Sequence, residues 1–268
     1  MKPLLITIPF TAENAPVAER LCDWIFKLNG RNPKGHALLV AAHDVHAEMC
    51  AKVAIAAEVA CATSELIAAP ELKLVSPTAA TNHLFKFAGD YILRHFRCPW
   101  LWLEPNCVPL KPGWLEQLIL AYESQPKRFM GAHLKFANAA AETGEKICLA
   151  RCSVYPADAI NDLEPHCASN APFNLAAAEH VLSRSIKSRL IQELAYDGDF
   201  DKVRVDACVL NGDKTGLLIE QLRTALPTGE AINIPITNSG APKLTVAERM
   251  AKARAARGKV GAIQMARL

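Results

Sequence analysis

The 268-residue chain predicts an α/β fold, a mixed, mainly parallel sheet flanked by helices, with a basic C-terminal tail. Three observations carry that prediction. Short apolar runs alternate with helix-spaced segments four times between Leu4 and Leu103. The runs are continuously apolar rather than alternating, as strands covered on both faces must be. Hydrophobic residues make up 51% of the chain and charged residues 21%, enough at this length for the core of one large domain.

Leu4-Leu5-Ile6-Thr7-Ile8 predicts the first strand, stopped by Pro9-Phe10-Thr11. Thr11 or Asn14 can cap the helix that follows, where Val17, Leu21, Trp24, Ile25 and Leu28 recur at helical spacing up to Asn29-Gly30. Ala37 to Ala41 predicts the second strand, which stops at His43-Asp44. An alanine-rich helix is expected from Ala47 to Ala69, a third strand from Glu71 to Val75 and a third helix from Asn82 to Phe96. Trp100 to Leu103 is the fourth strand and ends at Glu104-Pro105-Asn106. Pro109 and Pro112 fix the exit path, and Gly113-Trp114 opens a helix to Ser124.

Beyond that helix the alternation lapses. Phe129 to Leu134 and Ile147 to Ala150 predict strands about a polar turn at Glu142 to Glu145, with Ser153 to Pro156 extending the second. Phe173 to Leu194 reads as helix and Val205 to Leu210 as a further strand. Gly240-Ala241-Pro242 marks a boundary, so a domain over 1–240 and a tail over 241–268 are expected. Thr245 to Arg257 predicts a basic helix within the tail.

The net charge of +3 hides an asymmetry. From Lys243 to Leu268 seven basic residues face Glu248 alone, so the tail carries +6 and the remainder −3. The tail reads either as a solvated helix or as a contact for nucleic-acid phosphates. The nine cysteines form no CxxC pair and sit in apolar contexts, as in a reducing cytoplasm. Met1 to Phe10 lacks the form of a secretory leader, and Val53 to Ala69 contains Glu58 and Glu65, which argues against a membrane span. Neither GxSxG nor GxxxxGK[ST] occurs.

Right-handed crossovers would bring the ends of strands one, two and four to one rim. That rim carries Pro9-Phe10-Thr11, His43-Asp44 and Glu104-Pro105-Asn106. In open α/β sheets ligands bind there. A carboxylate and an amide two residues apart offer oxygen donors for a divalent cation and its phosphate ligand. The plainer reading is a solvated glutamate in a proline-rich turn.

With these residues placed, the chain resembles nucleotide-sugar-dependent glycosyltransferases of the GT-A, Rossmann-like fold. More narrowly it resembles the phage- and prophage-encoded branch, some of whose members decorate modified DNA bases. The resemblance spans roughly residues 3 to 222. It rests on LLITIPF, LLVAAHD, NHLFKFAGDYI, WLWLEPNCVPLKPGW, FMGAHL and VLNGDKTGLLI in that order. It implies a sugar donor such as a UDP-sugar and a hydroxyl acceptor, for which a hydroxymethylated pyrimidine in DNA is one candidate. It also implies Mn²⁺ or Mg²⁺ held by Glu104, Asn106 and Asn211, with Lys214 near the diphosphate. Glu104 and Asn174 are the implied catalytic positions. Pro9, Phe10, Thr11, Asp44, Asn82, Lys86 and Lys214 are the implied donor contacts.

Three positions depart from the family pattern. Asn106 stands where an aspartate is expected, Asn211 where a histidine is expected, and Asn174 where an acid near the acceptor is expected. An amide oxygen ligates a metal without bringing charge, so metal affinity should fall. A non-catalytic GT-A-like module that binds a nucleotide or nucleic acid is therefore the second reading, and a nucleotidyltransferase on a similar sheet the third.

Individual residues also have structural readings. Asp44 and Asn82 suit helix caps, Asn106 a turn, and any surface lysine resembles Lys86 or Lys214. His43, His46 and Cys50 have zinc-like spacing but no fourth ligand. Trp100 and Trp102 suit the core, whereas Trp114 is the candidate for stacking on an acceptor.

Overall fold

The computed structural model describes residues 4–29, 35–71, 76–137, 145–194, 202–213 and 216–225. The first half is β1 (Leu5–Phe10), α1 (Ala15–Asn29), β2 (His36–Ala41), α2 (Ala47–Ala60), β3 (Thr63–Ala68), α3 (Pro77–His95) and β4 (Trp100–Trp102). It continues with β5 (Cys107–Pro109), α4 (Trp114–Glu123), β6 (Phe129–Ala137), β7 (Glu145–Tyr155) and α5 (Ala159–Cys167). Next come α6 (Phe173–Ala176), α7 (Ala178–Leu182), β8 (Ser185–Lys187), β9 (Ile191–Glu193), β10 (Val209–Asn211) and α8 (Leu217–Ala225).

A seven-stranded sheet runs in the order β3-β2-β1-β4-β7-β6-β8. Its first four strands are mutually parallel, with Ile6 beside both Ala37 and Leu101. β7 then runs antiparallel to β4 and β6, and β8 parallel to β6. The expected mixed, mainly parallel α/β sheet is the one observed. A second sheet, β5-β10-β9, pairs Cys107 with Asn211 and Asn211 with Glu193.

Strand alternation sorts the core into two layers. Ile6, Ile8 and Phe10 pack with Leu21, Trp24 and Ile25 of α1 and with Leu115 and Leu118 of α4. Leu5, Leu38 and Val40 face the other way, onto Phe85, Ala88 and Ile92 of α3 and Ile160 and Leu163 of α5. In that second layer Phe85 is the hub of an aromatic block. It stacks on Phe173 at 3.8 Å between ring centroids and lies 5.0–5.2 Å from Trp100, Trp102 and Tyr155.

Several predicted boundaries move. The alanine-rich helix ends at Ala60, and the third strand is Thr63–Ala68 rather than residues 71–75, of which 72–75 lie outside the described residues. β3 is an edge strand whose Leu66 is 37% exposed, so its apolar pattern was too weak to separate from the helix before it. α3 begins at Pro77, capped by Ser76, whose hydroxyl accepts from Ala79 N at 3.2 Å. Asn82 is therefore not its cap. The single helix expected from Phe173 to Leu194 breaks into α6, α7, β8 and β9, because Ser185–Lys187 pairs with Phe129–Gly131. That partner is remote in sequence, and no glycine or proline marks the break. α5 was not anticipated. The boundary near Gly240 and the basic tail lie outside the described residues. Among the described residues no helix is long and apolar enough to cross a membrane.

Candidate functional site

β1 is followed by a crossover to β2 on one side, and β4 adds on the other side, so the chain changes winding direction between β1 and β4. The loops leaving these neighbouring strands must part, and a crevice opens at their carboxyl ends. A cavity of about 270 Å³ lies there. Pro9, Phe10 and Thr11 line it from the end of β1, and Glu104, Pro105 and Asn106 from the end of β4. Thr81 and Leu84 of α3 and Arg151 of β7 also contribute.

Among the described residues, Glu104 and Arg151 are the charged members of this lining. Glu104 is only 7% exposed. Its Oε1 lies 3.2 Å from Arg151 Nη1 and 3.4 Å from the donating Trp102 Nε1. Burial of a carboxylate is tolerated when such donors surround it. Arg151, by contrast, keeps 37% of its side chain exposed. The carboxylate thus forms the floor and the guanidinium part of the wall.

The smaller sheet braces the same rim. Gly212 N and Asp213 N donate to Asn106 O at 3.3 and 3.1 Å. Gly212 has φ +135°, and a Cβ there would come to 3.0 Å from Leu194 Cβ, so the close approach suits glycine. Asp213 accepts from Leu218 N and Ile219 N, both at 3.1 Å, tying the segment to the first turn of α8. Asn211, 3% exposed, donates to Glu193 Oε2 at 2.9 Å, while its Oδ1 has no hydrogen-bond partner among the described residues.

The structure brings together Pro9, Phe10, Thr11, Glu104 and Asn106 of the expected site. Asp44 is exposed in the turn after β2, on the same rim but outside the cavity lining; Ala42 N, two residues before it, donates to Phe10 O at 2.8 Å. Asn82 faces elsewhere: its amide donates to Ser169 O and Ala171 O and accepts from Phe173 N, all at 3.0 Å, which fixes the loop before α6 to α3. Lys86 is held by Asp90 at 2.8 Å and Glu164 at 3.0 Å between α3 and α5, so its charge is already paired. Asn174 donates to Leu149 O at 3.0 Å and is not part of the cavity lining. Trp114 is 1% exposed and packs in the core, so it offers no stacking face to an acceptor. Lys214 lies outside the described residues.

Arg151 and Glu193 were not anticipated. The signal for Arg151 was legible: it is the lone charge within the run from Ile147 to Tyr155. Glu193 lay inside a stretch read as helix and had no such signal.

Two buried thiols outside the cavity lining are held in the protonated form. Burial and contact with Cys152 push the Cys107 thiol well above its ordinary value, and burial pushes Cys148 up to about 11. Among the described residues no group of three or more His, Cys, Asp or Glu side chains converges as a metal cage, and His43, His46 and Cys50 form none. Glu104, Asn106 and Asn211 do not fit Mn²⁺ or Mg²⁺ either. One donor of the three is anionic, and that carboxylate already faces a guanidinium. Like unit charges about 4 Å apart oppose each other by about 4 kcal/mol at an effective dielectric constant near 20, and a dication doubles the effect.

No family model and no curated protein sequence matches this chain. Solved structures do resemble it. The galactosyltransferase LgtC, in complex with donor and acceptor sugar analogues, superposes with a TM-score of 0.56 at 10% identity, over 82% of this chain and 94% of that one. An active-site mutant of LgtC gives 0.53 at 9% identity, over 85% and 98%. The apo structure of the WbbM bifunctional glycosyltransferase gives 0.53 at 11% identity and 78% of this chain, which spans 45% of WbbM. At such identities the likeness establishes the fold, and that fold is the GT-A glycosyltransferase fold.

Proposed function

We propose that this protein is a glycosyltransferase that moves a sugar from a nucleotide-sugar donor to an acceptor hydroxyl. The observation that carries this reading is the cavity at the winding switch between β1 and β4, lined by Thr11, Glu104, Asn106 and Arg151. At about 270 Å³ it falls just short of the about 300–1,000 Å³ usual for whole small-molecule sites, which suits the diphosphate end of a donor alone. The nucleoside would then extend along the rim toward Asp44, whose carboxylate accepts hydrogen bonds from ribose hydroxyls or a base edge.

In the reaction the bond between the sugar C1 and the diphosphate oxygen breaks. The acceptor oxygen bonds to C1, and its proton passes to the departing diphosphate or to water. Charge builds on the departing diphosphate, so the wall must supply donors fixed before the bond breaks. In this reading the Asn106 amide and the Arg151 guanidinium, oriented by Glu104, supply those donors, and Lys214 is the further cation expected nearby. The neighbours, the galactosyltransferase LgtC and the bifunctional glycosyltransferase WbbM, support the reading at the level of fold. The phage-type branch and a hydroxymethylated pyrimidine acceptor rest on the sequence resemblance and the basic tail, with no support among the described residues.

The test is incubation with UDP-, GDP- and ADP-sugars while free nucleoside diphosphate is followed. One donor class should release diphosphate slowly by hydrolysis and faster with a hydroxyl acceptor. Failure of every donor both to bind and to react would overturn the proposal. Tight binding without release would point instead to a non-catalytic GT-A-like module.

A further inference from the structure

We infer that Arg151 is the diphosphate-binding cation of this site and that donor binding needs no divalent metal. The inference rests on the nucleotide-sugar reading above and specifies how that site would hold an anion.

Three features of the cavity lead to it. Among the described residues, Arg151 is the one cationic side chain in the lining, and Glu104 the one anionic side chain. The carboxylate is nearly buried beneath the guanidinium, and its Oε1 is occupied by Arg151 Nη1 at 3.2 Å and Trp102 Nε1 at 3.4 Å. A guanidinium has five N–H donors. Only its Nη1 end is engaged among the described residues, and more than a third of the side chain stays open. Glu104 therefore orients the fork, and the remaining N–H groups are available for phosphate oxygens.

Charge explains why a cation of this kind replaces a metal. Asn106 and Asn211 are amides and cannot neutralise a dication. A permanent positive charge already stands at Glu104, the one anionic member of the set Glu104, Asn106 and Asn211. An arginine stays charged throughout the physiological range and binds phosphate in bidentate fashion, so it offsets charge on a leaving diphosphate without a metal. The backbone adds order: Tyr155 OH donates to Arg151 O at 2.9 Å, tying the base of this side chain to the aromatic block.

Calorimetry with UDP, GDP and ADP, in EDTA and in Mn²⁺, tests this on the full chain. The tightest diphosphate should bind with affinities within about threefold in the two conditions. R151Q should weaken it by roughly 30-fold, the loss of one bidentate charged pair, and R151K should recover part of that. The corresponding nucleoside, which lacks phosphates, should bind R151Q as it binds the wild type. Because R151Q leaves the nearly buried Glu104 unpaired, E104Q/R151Q, which is neutral at both positions, serves as the folding control and should show the same loss. Binding that appears only with Mn²⁺, or that survives removal of the guanidinium, overturns the inference while leaving the donor reading intact. No binding of any diphosphate in either condition defeats the donor reading itself.

Discussion

Trp102 and Glu104 stand two residues apart at the end of one strand, yet they belong to regions with opposite habits. Behind the sheet, the aromatic block ties down its polar handles: Trp100 Nε1 donates to Pro156 O at 3.0 Å, Tyr155 OH to Arg151 O at 2.9 Å, and Asn82 makes three bonds. At the carboxyl rim, polar groups keep spare capacity: Asn211 Oδ1 is buried without a partner among the described residues, and the outer end of Arg151 is open. An unsatisfied buried polar atom costs about 1–3 kcal/mol. A fold keeps such atoms where a ligand completes them and supports them with a region whose aromatic polar handles are paired. The block supplies stability, and the rim spends some of it on binding.

The largest effect should follow from opening the block. F85A removes the ring that touches Phe173, Trp100, Trp102 and Tyr155. Loss of about 3–5 kcal/mol is expected in chemical denaturation. Because Trp102 also donates to Glu104, donor binding should weaken as well. A loss below about 1 kcal/mol would show that the block is not the stabilising region.

E104A should reverse that pattern. The carboxylate that orients Arg151 disappears, and donor affinity should fall about tenfold, or about 1.4 kcal/mol. Folding stability should change by about 1 kcal/mol or less, because the released guanidinium is over a third exposed. Equal losses in binding and stability would erase the distinction between the regions.

T7V sharpens the distinction from the other side. Thr7 lies in the middle of β1, fully buried, and its Oγ1 has no partner among the described residues. It is an unsatisfied atom away from the cavity lining. The isosteric valine should stabilise the fold by about 1 kcal/mol and leave donor affinity unchanged. A decrease in either quantity would mean that this hydroxyl has a task.

The sequence made the rim more legible than the block's partners. β1, β2 and β4 are apolar runs that end at polar residues, and strand order follows from winding rules, so Thr11, Glu104 and Asn106 were found together. β3 was missed because an edge strand lacks the continuous apolar pattern. α5, β8 and β9 were missed because tertiary pairing, not local propensity, decides them. Asn82 looked like a cap or a ligand, and only the position of the loop at Ser169 and Ala171 reveals its three bonds. A cation whose role depends on a carboxylate 47 positions earlier, as Arg151 does on Glu104, cannot be paired by spacing alone.

The smallest expected effect concerns two half-buried histidines outside the cavity lining. Burial lowers the pKa of His83 on α3, with Lys86 and His43 adding to the shift, and of His133 on β6, with Lys187 adding. His83 Nε2 has no partner among the described residues, whereas His133 Nε2 lies 3.0 Å from Ser185 Oγ. In both cases the folded state favours the neutral ring, so the unfolded chain takes up protons first as pH falls. Stability is therefore full above the unfolded pKa of about 6.5 and declines as pH drops through the lowered folded values. H83N and H133N should each flatten the decline in unfolding free energy between about pH 7 and about pH 5. If burial rather than the Ser185 contact sets the shift, S185A will leave the His133 contribution in place. Its disappearance in S185A would assign the shift to that hydrogen bond instead.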